Sequence, residues 1–174
     1  MDLQKKKINS FFLLLLHVII WLGDSMKIAI ASDHRGYKLK EFLKEQLASE
    51  YEICDLGTNS EESVDYPDYA FALGEKVSNG EAAFGIAICG SGIGISIACN
   101  KVKGIRCAKV TTVEDAKYTR EDNDSNIVAF GEKTSEKDAL EIVKTFINTP
   151  FSNLEKHQRR IDKISSYEEK NNDR

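Results

Sequence analysis

The chain has few histidines: three in all, and one of them, His17, lies in an N-terminal apolar stretch and is given no role, which leaves His34 and His157 for the folded part. Its four cysteines, Cys54, Cys89, Cys99 and Cys107, form no C-x-x-C pair and stand at no metal-ligand spacing with histidine. The spacing therefore argues against a zinc site and a disulfide framework, and a reduced, cytoplasmic protein is the simpler account. No basic run is long enough to make a stripe for a phosphate backbone, and a net charge of −4 argues against a nucleic-acid partner. Internal repeats and low-complexity tracts are missing. The apolar run from Phe11 to Leu22 is shorter than the roughly 20 residues of a membrane span, so no membrane role is expected for the folded domain.

What is there fits one domain. The chain of 174 residues is long enough for a sizeable core. Residues 1–25 read separately, because Lys5-Lys6-Lys7 before the apolar run looks like the charged and hydrophobic regions of a signal peptide. Three explanations stand: a translated upstream region whose true start is Met26, an export or organelle signal, and a membrane anchor. The first is preferred, since Leu22 to Ser25 is a poor cleavage site and Met26 opens directly into a strand-like run.

Residues 26–150 alternate strand and helix signals. Lys27–Ala31, Tyr51–Leu56, the run Ile86–Ile88 within the stretch that opens at Phe84, Ile105–Val110 and Asn126–Phe130 read as strands. Tyr37–Leu47, a helix begun by Asp65-Tyr66-Pro67, Ile95–Cys99, Glu114–Arg120 and Ser135–Ile147 read as the helices between and after them. Five strands alternating with helices imply an α/β fold with a doubly wound parallel sheet. Residues 151–174 form a C-terminal helical arm, in which Ile161, Ile164 and Tyr167 recur at helical spacing on a charged segment, as in an arm that docks on another surface.

Ligands of such sheets bind beyond the C-terminal strand ends, which singles out Asp33, His34, Gly57, Cys89 to Gly94, Thr111 and Gly131. The stretch FGIAICGSGIGISIACN, Phe84 to Asn100, is central. It runs from a buried strand into a glycine-rich turn and then a helix start, an order that makes an anion cradle of unpaired N–H groups. Cys89 stands at its mouth, where partial positive charge favours thiolate and makes the sulfur both acidic and accessible. The same turn also suits plain βα packing, and most free cysteines are small buried hydrophobes, so this stretch alone leaves catalysis and packing open. His34 and His157 both sit in polar sequence and are expected to be exposed. Lys156, His157, Arg159 and Arg160 form either a solvated helix face or a clamp for a phosphate dianion.

Several motifs together resemble ribose-5-phosphate isomerase type B, a family that includes galactose-6-phosphate isomerase subunits. They are SDHRGYKLKE at Ser32 to Glu41, DLGT at Asp55 to Thr58, VDYPDYA at Val64 to Ala70, CGSGIGISIACNKVKGIRCA at Cys89 to Ala108, YTREDNDSNIVAFG at Tyr118 to Gly131 and KHQRRI at Lys156 to Ile161. The resemblance implies a Rossmann-like sandwich and a homodimer, sometimes a tetramer, with active sites shared across the interface and the C-terminal arm reaching the partner subunit. It implies isomerisation of ribose 5-phosphate and ribulose 5-phosphate through an enediolate, a step of the pentose phosphate pathway, without metal or organic cofactor. By the same resemblance Cys89 is the base, and Gly90, Gly92, Ile93 and Gly94 belong to the backbone anion hole of Gly90 to Gly94. Ser91 relays a proton between sugar oxygens, Asp33 and His34 form the strand-end pair, Tyr66 lines the pocket and Asn123 contacts the sugar. Lys133, Lys156, His157 and Arg160 hold phosphate.

The chain departs from the family at defined places. Asp122 stands where an R-x-H-N motif has the histidine credited with ring opening, and a carboxylate is a poor acid near neutral pH unless its pKa is raised. Lys133 and Lys156 replace arginines, keeping charge without the bidentate fork. Asn153-Leu154-Glu155 replaces a Gly-Gly pair. Galactose 6-phosphate or allose 6-phosphate are the alternative substrates, and a weakened sugar-phosphate-binding homologue is the alternative from another class. A flavodoxin-like nucleotide module fits less well, for lack of an acidic residue about 20 positions after a G-x-G-x-x-G.

Overall fold

The structure, a computed structural model, describes residues 25–172. The readings placed on residues 1–24, His17 among them, lie outside the described residues.

Five strands form one parallel sheet: β1 (Lys27–Ser32), β2 (Glu52–Asp55), β3 (Phe84–Cys89), β4 (Cys107–Lys109) and β5 (Ile127–Gly131), in the order β2-β1-β3-β5-β4. Among the described residues six helices accompany them: α1 (Tyr37–Leu47), α2 (Tyr66–Ser78), α3 (Ile93–Cys99), α4 (Val113–Asn123), α5 (Glu136–Asn148) and α6 (Glu155–Asn172). From β1 the chain crosses to β2 on one side, and from β3 it crosses to β4 on the other. The crevice between β1 and β3 is therefore the switch point of the sheet, where ligand sites of such folds form.

Strand residues alternate in size as well as in side, because successive side chains point to opposite faces. Ile28, Ile30, Ile86, Ile88, Val128 and Phe130 meet Leu43 of α1, Ala116 of α4 and Val143 and Phe146 of α5 in one core layer. Ala29, Ala31, Ala87, Cys89 and Ala129 meet Ala70 and Leu73 of α2 and Ile95 and Cys99 of α3 in the other. The small residues let α2 and α3 close on the sheet, and those two helices also pack on each other. Cys89 thus belongs to the small-residue face and is paired in register with Gly131 of the neighbouring strand.

Two boundaries differ from the sequence reading in ways that matter for the site. Helix α4 continues through Asn123 instead of stopping at Arg120, so Asp122 and Asn123 are helical. Its polar sequence carries no apolar period to announce this. The helix is held by a reciprocal capping box between Thr112 and Asp115 at one end and by Arg120 at the other. The Arg120 guanidinium stacks on Phe84 and Phe146 and bonds Asp124 and the Ser125 carbonyl. Strand β4 shrinks to three residues, Cys107 to Lys109.

Candidate active site

A cleft of about 890 Å³ opens at the C-terminal strand ends and is lined by residues from all the loops that leave β1, β3, β4 and β5. Its floor is the turn after β3. There Gly92 adopts a left-handed conformation (φ 76°), and a Cβ at this position would stand 2.6 Å from the Phe130 carbonyl carbon. Only glycine meets both demands. The turn folds the Gly92 N–H back on the strand end, where it donates to Cys89 Sγ at 3.2 Å. The sulfur accepts that bond and faces the cleft, though the residue as a whole is 4% exposed. Cys89 is therefore less accessible than its position in the sequence suggests, because the α3 helix and the β5 end close over all but its cleft side.

Around the sulfur, Ser91 is exposed and its hydroxyl accepts the Ile93 N–H at 3.2 Å. Gly94 lies so close beneath Tyr66 that an added Cβ would be 2.7 Å from the ring, which fixes the tyrosine as one wall. Asp33 is buried, and one of its oxygens accepts the N–H groups of Arg35 and Gly36 at 3.0 and 3.1 Å. Asp33 also lines the cleft at the β1 end. Lys133 joins from the loop after β5. Asp33, Tyr66, Cys89, Gly90, Ser91, Gly94 and Lys133 therefore meet in one cleft, while Gly92 shapes the turn from beneath and the Ile93 side chain is exposed beside it.

The other expected residues lie elsewhere in this chain. The His34 ring turns away to the loop before α2, with Nδ1 within 3.2 Å of both the N–H and the carbonyl of Val64. Asp122 and Asn123 occupy the last turn of α4, which ends near the N-terminal strand edge. There the Asn123 carbonyl accepts from Nε of Arg106, the residue before β4. A five-residue strand separates that edge from Cys89, roughly 15 Å at about 3.3 Å per residue. His157 sits beside Asp122, Nε2 to Oδ1 3.4 Å. It is 4% exposed, contrary to the expectation of an exposed histidine, because the first turn of α6 docks on α4 and turns the ring inward. Lys156, Arg159 and Arg160 point to solvent.

Sequence reasoning passed over Arg35, Lys109, Thr134, Ser135 and Asp138, all of which line the cleft. Arg35 stands inside the strand-end motif and two residues after Asp33, which was the available signal. Ser135 and Asp138 belong to the N-terminus of α5, where the serine hydroxyl caps the Asp138 N–H at 3.1 Å. Among the described residues no group of three or more His, Cys, Asp or Glu is placed to hold a metal ion, and no helix is long and apolar enough to cross a membrane.

A nested parallel sheet with a thiol and a glycine loop at its switch point defines a small-molecule site of the Rossmann-like class. The family model described as Ribose/Galactose Isomerase matches residues 28–164, and the chain belongs to that family. It is 52% identical over 153 residues to YwlF of Bacillus subtilis, provisionally named a sugar phosphate isomerase, a match covering 84% of this chain and 99% of that one. The structure of Clostridium thermocellum ribose-5-phosphate isomerase B superposes with a TM-score of 0.81 at 47% identity, covering 83% of this chain and 99% of the other. That of the Mycoplasma genitalium enzyme with bound ribulose-5-phosphate does so with a TM-score of 0.79 at 38% identity, covering 84% and 99%.

Proposed function

We propose that this chain interconverts ribose 5-phosphate and ribulose 5-phosphate, as the isomerases it is similar to are named for doing. The observation that carries the proposal is the thiol of Cys89 against the amides of the Gly90–Gly94 loop in an open cleft. On the open-chain aldose, the Cys89 thiolate takes the proton from C2. The electron pair moves into a C1–C2 double bond, and the negative charge settles on the former carbonyl oxygen O1. Loop amides aimed at that oxygen stabilise the enediolate, each donor being worth about 3 kcal/mol. Ser91 passes the hydroxyl proton from O2 to O1, and the thiol returns its proton to C1. A ketose results with no net oxidation. Asp33 orients the sugar from the β1 end and Tyr66 closes one wall.

We assign the remaining site residues to a second copy of the chain. Asp122, Asn123, Lys156, His157 and Arg160 stand on the α4–α6 side and do not reach this cleft from their own subunit, whereas His34 stays at the β1 end of its own cleft with its ring on Val64. A homodimer that sets the α4–α6 edge of one copy at the cleft of the other completes the site. The exposed Ile93 and Ile97 on α3 and Phe71 on α2 supply an apolar surface beside the cleft for such a contact.

A coupled assay on ribose 5-phosphate tests the activity, and absence of turnover for the full chain at any concentration of this sugar overturns it. Sharing of sites is tested by mixing two inactive variants, Cys89→Ala and Arg160→Ala. Half of the refolded dimers would be mixed and each would hold one intact site, so about a quarter of wild-type activity returns. No recovery would place the whole site within one subunit.

A further inference from the structure

Arg35 occupies the turn between β1 and α1, and its side chain is laid across the glycine loop. A Cβ added to Gly90 would find Arg35 Cδ and Nε at 3.1 Å and Cζ at 3.3 Å, so the guanidinium rests on the backbone of the residue next to Cys89. Its backbone N–H is fixed by Asp33 at 3.0 Å. Its far end is fixed by a hydrogen-bonded ion pair with Glu132. Glu132 follows β5, and its own N–H donates to the Cys89 carbonyl at 2.9 Å. One ion pair therefore ties the loops after β1 and β5 together over the loop after β3, with a positive charge above the anion cradle. Position distinguishes this ion pair from an ordinary surface pair, since Arg35, though 53% exposed, lies on the site's backbone and its partner Glu132 is 22% exposed.

We propose that Arg35, held by Glu132, is a positioning residue of the isomerisation, a fixed cation that stabilises the Cys89 thiolate and the anion formed beside it. This rests on the reading of Cys89 as the base. The charged and titratable groups facing Cys89 come from every neighbouring element: Asp33 and Arg35 after β1, Tyr66 of α2, Lys109 of β4, Glu132 and Lys133 after β5, and Asp138 of α5. Of the cations, Arg35 alone is shown lying on the loop that follows the thiol, clamped at both ends. The lysines hang on flexible stems from the β4 and β5 ends. The hydrogen bond and charge of Glu132, outweighing desolvation and joined by the fields of Asp33 and Cys89, hold the guanidinium above its ordinary pKa.

The test reads the thiol directly. Iodoacetamide alkylation of Cys89 is followed against pH by peptide mass spectrometry in the substrate-free full chain. Arg35→Gln is expected to raise the midpoint by about half a unit to one unit, the range expected of one partly solvated charge. It is also expected to lower kcat about three- to tenfold with KM within about twofold, the pattern of a lost transition-state interaction. Arg35→Lys should restore most of both. A midpoint unchanged in Arg35→Gln overturns the proposal. So does a rise in KM at constant kcat, which would make Arg35 a grip on substrate phosphate. Because alkylation needs no substrate, failure of the isomerase reading and failure of this inference remain separable.

Discussion

The same residue type behaves differently at the two ends of this sheet. Cys89 closes β3 at the C-terminal edge, where its sulfur accepts an amide hydrogen and faces a cleft. Cys107 opens β4 at the opposite edge. Its thiol is pushed well up from the ordinary value by a hydrogen bond with Cys99, then by burial and by the charge of Cys99. The Asn100 side chain clamps its backbone from both sides at 2.8 Å. A thiol that gives up its proton reluctantly is a packing group, whereas one beside amide donors and a guanidinium is a candidate base. Strand direction decides between them. In a parallel sheet the C-terminal edge gathers the loops with free N–H groups, and the N-terminal edge receives helix ends whose groups are already bonded, as those of Arg106, Asn123 and Asp124 are.

The contrast breaks most visibly in activity. Cys89→Ala is expected to lose about 10³-fold or more in kcat, the scale for removal of a positioned base, while Cys107→Ala stays within about twofold of wild type. The coupled isomerase assay reads both. Comparable losses in the two variants would mean that both thiols matter through folding alone.

The next largest effect falls on the loop that makes the difference. Gly92→Ala places a Cβ in a left-handed conformation and against the Phe130 backbone, at 2.6 Å. A shifted loop costs the sulfur its amide partner, so turnover should drop about tenfold or more. The backbone strain should lower stability by about 1–3 kcal/mol, read as an earlier urea midpoint. Unchanged stability and rate would show that the loop has a second conformation equally good for catalysis.

How far this was legible beforehand follows the same division. The five strands, the Tyr37–Leu47 helix and the glycine loop carry period, punctuation or both, and all were readable from the sequence. The anion cradle was readable because its chemistry lies in consecutive residues. The edge that carries Asp122, Asn123 and His157 was not. Asp122 and Asn123 lie in a polar helix end whose stability comes from Arg120 stacking on two distant phenylalanines, a tertiary contact with no local trace. His157 was misjudged for a related reason, since its neighbours Lys156, Arg159 and Arg160 are exposed and only docking of α6 on α4 turns the ring inward. Arg35 went unnoticed because its partner, Glu132, is 97 positions away.

The smallest effect sharpens the comparison by separating stability from chemistry at the site's own edge. Asp55 ends β2 there, but one oxygen accepts from Lys40 and Lys44 at 2.7 Å each and the other from the Gly57 N–H at 3.1 Å. Lys40 is completely buried. Burial alone would raise the Asp55 pKa, but hydrogen bonds from the two ammonium groups more than offset it and hold the carboxyl below its ordinary value. A depressed folded pKa contributes stability that is present above the unfolded pKa, about 3.9, and is lost as pH falls through the lower folded value. Asp55→Asn should therefore cost about 2–3 kcal/mol at pH 7, in part because it leaves the Lys40 charge short of a partner. The cost should shrink as the pH is lowered below about 4 and wild-type Asp55 itself takes up a proton. Urea unfolding at several pH values reads the convergence. In the folded population kcat should remain within about threefold of wild type, because this carboxylate faces lysines and not the cleft. A pH-independent difference in stability would mean that the charge of Asp55 is irrelevant to the fold, and no difference at all would mean that its Gly57 contact, which an amide can keep, is what matters.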